Sequence, residues 1–441
     1  MTRSFSLESL GCAKNQVDSE HLIAALEAAG LEWTAEPGRA DCLIVNSCGF
    51  IASAKQESID AVLSFRARFP RDRFPAKKII LVGCLALRYQ TDLERELGEA
   101  DGIWGNVYDP AFPAFVKKLL APEERERTSD AAIGPAERRR LLSYPGSVYV
   151  KIAEGCANRC AYCAIPLIRG GLASRRLAEV VREVRAFLKR GIIEIVLIAQ
   201  DTSSFGLDRG AGELEALLRE VAGLPGDFWV RLLYVHPDHF TSALLEAVRS
   251  SPKILPYFDL PFQHGSEPIL KAMNRRGNAD SYAALADSIR AALPQAVVRT
   301  TFLTGFPGES DADFERLLEF QERLRPQWAG MFAFSPEEGT PAFKLKPRVP
   351  AKTALRRKAE LEERQERITA AWLDTLIGIE ANVLVEERVE GEDLLLGRAW
   401  FQAPEVDGLV VVSGGSARPG ERIRVRIQNR AGVDLRGEAL G

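Results

Sequence analysis

The stretch Gly155-Cys156-Ala157-Asn158-Arg159-Cys160-Ala161-Tyr162-Cys163-Ala164-Ile165-Pro166 constrains this chain more than any other. Its three cysteines stand at spacings of four and three, with no fourth close by. A tetrahedral zinc site takes four protein ligands, usually from two CxxC-like pairs, and no second pair is present. Three thiolates suit a 4Fe-4S cluster whose fourth iron stays open to a small ligand. A structural zinc knuckle, or three buried thiols, is the plainer alternative. Buried thiols need no such spacing, and no histidine stands near in sequence.

The first third of the chain carries a second cysteine pattern. Phe5–Ser9 reads as a short strand leading to Gly11-Cys12, and an amphipathic helix follows over Asp18–Ala29, with Leu22, Ile23, Leu26 and Ala29 on one face. Leu43-Ile44-Val45 is an apolar run of the buried parallel-strand kind and leads to Cys48; Lys78–Val82 does the same for Gly83-Cys84. Cys12, Cys48 and Cys84 thus recur every 36 residues, each just past a strand that alternates with helices. In an open parallel α/β sheet those ends line one edge, where such folds put their ligands. Three thiolates converging there suit a second 4Fe-4S cluster; ordinary burial of cysteine is the alternative. Cys42, at the start of its strand, reads as a small buried hydrophobe.

With 441 residues, 46% of them hydrophobic and 27% charged, the chain has material for two to four domains and large cores. A formal charge of −3 gives no global attraction to nucleic acid or acidic lipid. Neither a secretory h-region nor a membrane-length apolar run is evident, and seven cysteines, an odd number, argue against a disulfide framework. A reducing cytoplasm and no membrane partner are expected.

Two sets of motifs carry a family resemblance. The C-x3-C-x2-C run resembles the radical S-adenosylmethionine (SAM) superfamily. Gly11-Cys12-Ala13-Lys14-Asn15-Gln16-Val17-Asp18-Ser19-Glu20 and Asn46-Ser47-Cys48-Gly49-Phe50-Ile51 resemble the amino-terminal domain of the methylthiotransferases within it. The resemblance implies SAM on the open iron held by Cys156, Cys160 and Cys163, and an auxiliary 4Fe-4S cluster on Cys12, Cys48 and Cys84. It also implies insertion of a methylthio group into a C–H bond, with no catalytic side chain beyond the cluster ligands. An electron donor of the flavodoxin or ferredoxin kind is implied as well.

The expected fold is α/β and multidomain. Residues 1–120 form an open parallel α/β domain, 121–146 a linker, 147–372 a partial (β/α)6 radical SAM barrel, and 373–441 a small antiparallel β-barrel matching a TRAM domain. Within the linker, Arg138-Arg139-Arg140 reads as a solvated charge run, an RNA-contacting patch being the other reading. Barrel strands are expected at Val148–Ile152, Ile192–Ile198, Phe228–Tyr234, Tyr257–Leu260, Val297–Leu303 and Gly330–Phe334, with ligands on the loops that follow them. The resemblance implies that Arg169 and Arg175 face the SAM carboxylate, a task that suits a guanidinium; solvated arginines at a helix start are the alternative. Gln200 ends the second strand. Gly305, Gly308 and Glu309 end the fifth, where glycines permit close approach to the adenosine part of SAM. His264 reads as structural, with a proton acceptor near the substrate as the second reading. Asp238 reads as a helix cap.

Short strands separated by glycine-containing turns fill the chain from Glu380 onward, where eight Arg, no Lys and eleven Asp+Glu give a charge of −3. An acidic module fits a basic protein better than a phosphate backbone, unless the arginines share one face. Methylthiotransferases divide into a tRNA branch (the MiaB-like enzymes) and a ribosomal-protein branch. Lys14-Asn15 with Asp18-Ser19-Glu20, Ala199-Gln200-Asp201-Thr202 and Tyr257–His264 resemble the second. A tRNA-directed relative more often reads Met-Asn at the first place and Gln-Ser-Gly where Gln263-His264-Gly265 stands. The implied acceptor is the β-carbon of an aspartate in the twelfth small-subunit ribosomal protein, bound by a monomeric enzyme through its acidic TRAM domain. The tRNA adenosine methylthiotransferase is the alternative; a non-enzymatic iron–sulfur carrier or RNA-binding module is a remote one.

Overall fold

The computed structural model describes residues 3–121 and 137–440, which fall into two compact units, 1–143 with 163–170 and 144–162 with 171–441. Most of the linker expected at 121–146 lies outside the described residues.

The first unit is a five-stranded parallel sheet: β1 (Ser4–Ser9), β2 (Glu32–Trp33), β3 (Cys42–Ser47), β4 (Lys78–Gly83) and β5 (Gly102–Trp104), in the order β2-β1-β3-β4-β5. Both faces are covered, which is why β3 is buried at every position. Phe5, Ile44 and Ile80 pack with Leu22, Ile23 and Leu26 of α1 (Ala13–Ala28) and with Phe112 and Val116 of α4 (Phe112–Leu120). Leu43, Val45 and Leu81 pack on the other face with Val62 of α2 (Ala52–Arg68) and Leu85 and Leu93 of α3 (Cys84–Glu96). Helix α1 starts five residues before the expected Asp18, because Lys14 and Asn15 are buried polar residues that break the amphipathic pattern. Cys42 is fully buried. The expected solvated run at Arg138–Arg140 needs correction: Arg138 is buried against Glu20 at 2.5 Å, and Arg140 lies over the Trp33 ring.

In the second unit, β6 (Ser147–Lys151) pairs in parallel with β9 (Glu194–Ile198), and β9 with β10 (Trp229–Leu232). A parallel bridge from Val230 to Ile254 leads toward β11 (Tyr257–Asp259), β12 (Val297–Thr304) and β13 (Trp328–Ala333), themselves parallel. All six expected barrel strands form. The two-residue strands β7 (Ala153–Glu154) and β8 (Ala173–Ser174) pair as a short ribbon, and α5 (Ile165–Arg169), between them in sequence, belongs to the first unit. Helices α6 (Leu177–Lys189), α7 (Leu214–Ala222), α8 (Ser242–Arg249), α9 (Glu267–Ala272), α10 (Ala279–Ala292) and α11 (Asp311–Leu324) lie between the strands, and α12 (Ala351–Asp374) follows the last. Val180, Val181, Val184 and Phe187 form the buried face of α6, and Gly191 (φ +83°) closes it. Thr241, not Asp238, caps α8: its side chain accepts from the Leu244 N–H at 2.9 Å. Asp238 instead accepts from the N–H groups of Arg276 and Gly277 and from the Tyr282 hydroxyl.

The chain ends in a closed barrel, β14 (Glu380–Arg388), β15 (Leu394–Ala399), β16 (Val410–Ser413), β18 (Asp434–Ala439) and β17 (Arg422–Ala431), in that spatial order. Its pairings are antiparallel except β16 with β18, which is parallel. This barrel meets the amino-terminal ends of the strands of the partial barrel. Glu194, the first residue of β9, accepts from Arg231 at 2.8 Å and from Arg398 of β15 at 2.6 Å, all three side chains being buried. Tyr257, which opens β11, donates to Asp407 at 2.6 Å, and Trp328, which opens β13, donates to the Phe401 carbonyl at 2.9 Å. Among the described residues no helix is long and apolar enough to cross a membrane.

Burial acts to raise the Glu194 carboxyl, but Arg398 and Arg231 outweigh it and hold the pKa at about 2. A depressed carboxylate stabilises the fold fully above its ordinary range, about 4.3, and loses that contribution as pH falls through the folded value. Glu194→Gln leaves buried Arg231 without its counter-charge and Arg398 with Glu386 alone, and should cost about 3–5 kcal/mol in thermal unfolding at neutral pH. The deficit should shrink as the pH is lowered from about 4 toward 2.

Candidate functional site

In the first unit, β1, β3 and β4 are neighbours in register, Ser9 beside Asn46 and Asn46 beside Val82. Cys12, Cys48 and Cys84 therefore leave three adjacent strand ends. The strand order reverses between β1 and β3, the place where doubly wound sheets of this order open a crevice. Cys12 is the N-cap of α1 and Cys84 the first residue of α3, so two of the three cysteines sit at helix amino termini.

The turns are built around close approach. Gly11 has φ +92°, and a Cβ there would stand 2.8 Å from Cys48 Cβ and 3.1 Å from its Sγ. A Cβ on Gly49 would stand 2.8 Å from the Cys84 backbone. Beneath the turns, the Asn15 amide donates to the carbonyls of Leu10, Asn46 and Ser47 at 2.7, 3.2 and 3.1 Å, while the Asn46 amide donates to Asn15 O and Ser19 Oγ. None of the seven cysteines is in a disulfide among the described residues. Burial pushes the Cys48 thiol up to about 12, and burial raises Cys84 as well, against the pull of Arg169. Iron binding must therefore displace protons from them. Among the described residues no group of three or more His, Cys, Asp or Glu could hold a single metal ion. A cubane cluster differs, taking one thiolate per iron so that its ligands stand further apart. The crowded glycine turns and the three cysteines that leave adjacent strand ends fit such a group.

Arg169 is expected at a SAM carboxylate, but its guanidinium is engaged elsewhere. It pairs with Asp18 at 2.6 Å and donates to Asn15 Oδ1 at 3.2 Å and to Cys84 Sγ from Nε at 3.2 Å and Nη2 at 3.0 Å. Asp18 also accepts from the Tyr108 hydroxyl.

In the second unit, Cys156 and Cys160 lie on the loop beyond β7; Cys163 opens the segment that belongs to the first unit. Asn158, between the first two cysteines, holds the loop: its N–H donates to Cys156 Sγ at 3.4 Å and its amide to Asp201 at 2.8 Å. Burial acts to raise Asp201, yet hydrogen bonds from His239, Ser203 and Ser204 prevail and hold it well below the usual carboxylate range. Arg275 is buried, points Nη1 at Cys160 Sγ (3.8 Å), and donates to His236 Nε2 and the Pro261 carbonyl. Burial, then the Arg275 charge, pushes His236 down to about 3, so its imidazole is neutral. Donors facing sulfur suit anionic thiolate ligands. Two non-glycine residues on the loops after β10 and β11, Tyr234 and Gln263, have φ of 61° and 71°, the kind of outlier that gathers at functional sites.

Several expected SAM contacts are occupied by the fold. Arg175 donates to the Lys151 carbonyl at 2.9 Å and pairs with Glu183 at 2.5 Å. A Cβ on Gly305 would collide with Ala354 of α12. Glu309 is buried, accepting from the N–H groups of Gly305 and Phe306 and from Arg357 at 2.6 Å. Gly308 faces open space, and Gln200 is half-buried just past β9. His264 is buried and accepts from the Ser266 N–H, the structural role expected of it. Helix α11 crosses close to Gly265: a Cβ there would stand 2.5 Å from Phe320 Cβ. Arg275 escaped sequence reasoning, since an arginine in a loop after a short helix gives no periodic signal.

Three family models match in turn: an uncharacterized family, UPF0004, over residues 4–105, the Radical SAM superfamily over 150–320, and a TRAM domain over 377–440. The ribosomal protein uS12 methylthiotransferase RimO of Treponema denticola is 43% identical over 476 aligned residues, covering 98% of this chain and 99% of its own. The chain belongs to the RimO family. The RimO of Geobacter sulfurreducens is 40% identical over 99% of this chain and 98% of its own. Among solved structures, the radical SAM methyltransferase TsrM of Kitasatospora setae aligns with TM-score 0.56 at 15% identity, over 78% of this chain and 74% of that one, a likeness of fold. As RimO enzymes, this family works with two 4Fe-4S clusters and SAM, and the chain is a radical SAM methylthiotransferase.

Replacing Gly11 by Ala puts a side chain at positive φ and against Cys48. It should cost about 1–3 kcal/mol, read by chemical denaturation of cluster-free protein.

Proposed function

We propose that this enzyme adds a methylthio group to the β-carbon of an aspartate in ribosomal protein uS12. Cys156, Cys160 and Cys163 would hold the SAM-binding cluster, and Cys12, Cys48 and Cys84 the auxiliary one. The observation that carries the reading is the emergence of Cys12, Cys48 and Cys84 from three adjacent parallel strand ends in a chain that also has the C-x3-C-x2-C loop. Relatives named for uS12 modification match it end to end.

When loaded, the clusters supply reductive cleavage of SAM for C–H activation and the sulfur to be transferred. The chain supplies position and electrostatics. Asn158, anchored on Asp201, fixes the loop around Cys156, and Arg275 presents a guanidinium edge to Cys160. Neutral His236 accepts from Arg275 and holds that edge in place. Gln200 and Gly308 remain as SAM-contact candidates.

The domain limits we assign are 1–120 for the auxiliary-cluster domain, 121–146 for the linker, 147–372 for the radical SAM barrel and 373–441 for TRAM, in line with the matched segments. The basic substrate docks on the acidic TRAM barrel. The arginines of β17 support a protein partner over RNA because they are already paired: Arg424 and Arg426 with Glu380 at 2.6 and 2.7 Å, Arg430 with Asp374 at 2.9 Å. The enzyme works in the cytoplasm as a monomer, with electrons from a flavodoxin or ferredoxin.

The deciding experiment is an anaerobic assay of reconstituted enzyme with SAM and dithionite, offered uS12 and a tRNA pool together and followed by mass spectrometry. A methylthio adduct on the uS12 aspartate is expected; an adduct on tRNA alone overturns the substrate assignment. Cys160→Ala should lose SAM cleavage. Cys48→Ala should retain cleavage while methylthio product falls below detection.

A further inference from the structure

We infer that Arg169 is a positioning residue for the auxiliary cluster, whose hydrogen bonds to the Cys84 sulfur set how readily that cluster is reduced. The inference rests on the assignment of Cys12, Cys48 and Cys84 as its ligands.

Four features of the first unit support it. The Arg169 side chain is 8% exposed and its partner Asp18 0%, so the charge is paid for by a buried ion pair at 2.6 Å. An ion pair alone needs one edge of the guanidinium, yet this one is held at a second point by Asn15 Oδ1, at 3.2 Å. That two-point grip leaves Nε and Nη2 aimed together at one sulfur, at 3.2 and 3.0 Å. A neutral thiol is a weak acceptor, whereas a thiolate ligand carries charge and accepts strongly, so two charged donors converging on Cys84 match the ligated state. Finally, Asp18 is itself fixed by the Tyr108 hydroxyl and Asn15 by three carbonyls, so the whole set is preorganised.

Hydrogen bonds to sulfur and local net charge are the levers by which a protein sets the potential of an iron–sulfur cluster. Adding an electron makes the cluster more negative, and donors on a ligand sulfur stabilise that state more than the oxidised one. Removing them should shift the midpoint to more negative values. Removing the Asp18 charge, which leaves the guanidinium uncompensated, should shift it the other way.

The test uses full-length chain carrying Cys156→Ala, Cys160→Ala and Cys163→Ala, so that only the auxiliary cluster assembles. Potentiometric titration is followed by electron paramagnetic resonance, with iron and sulfide content read for each variant. Arg169→Gln should leave about tenfold less reduced cluster at a fixed potential, which for one electron is about 59 mV more negative. Arg169→Lys should shift in the same direction by less, and Asp18→Asn in the opposite direction. Should Arg169→Gln lose iron, the signs for Arg169→Lys and Asp18→Asn decide: opposite shifts uphold the inference, and unchanged midpoints overturn it. Full cluster content in Arg169→Gln with an unchanged midpoint also overturns it. In the chain with all cysteines intact, weaker SAM binding by that variant would then make Arg169 a SAM ligand. If the parent triple variant assembles no cluster, the assignment of Cys12, Cys48 and Cys84 falls and the inference with it.

Discussion

Parallel pairing of β1, β3 and β4 places three chain exits side by side, and the placement of Cys12, Cys48 and Cys84 depends on that arrangement. Strand hydrogen bonds fix the spacing of the exits whatever chain runs between them. What remains is to bring the sulfurs close enough together, and here the turns decide. At Gly11 and Gly49 the backbone comes so near the next cysteine that no side chain fits. The amides of Asn15 and Asn46 bind carbonyls freed where the strands end.

The second unit solves the same problem differently. One loop carries Cys156 and Cys160, and rigidity comes from across the rim, where an ionised and almost fully buried Asp201 gathers Asn158, Ser203, Ser204 and His239. Such a carboxylate is costly to bury unless its hydrogen bonds are complete. Its presence ties the cysteine loop to the end of β9.

Legibility in the sequence followed the kind of signal. The barrel strands show as apolar runs because most of their residues are buried, β13 with exposed Phe332 being the most open, and the spaced cysteines mark the candidate sites. Strands β2 and β5, of two and three residues, are too short to leave a pattern, and β18, with Arg436 and Glu438 pointing outward, hides among polar residues. Side-chain destinations were the least readable. Arg169 at the end of α5, and Arg175 and Glu309 in loops, stand near the expected ligand, as a motif suggests. Whether such a residue faces a ligand or a neighbouring element depends on contacts distant in sequence, such as Asp18 for Arg169 and Arg357 for Glu309. Glycine is similarly ambiguous: at Gly305 the close approach it permits is that of a helix.

The carboxy-terminal barrel is joined to the amino-terminal ends of the central strands through Arg398, Phe401 and Asp407, and this changes what kind of module it is. Deleting it would strip Glu194 of one guanidinium, leave the Tyr257 hydroxyl without its acceptor and expose Trp328 to water. It is the floor of the partial barrel as well as an appended domain. In evolutionary terms the two are not independently exchangeable: a TRAM sequence transplanted from a relative with another substrate must bring its own answer to Glu194, or the recipient barrel must change with it.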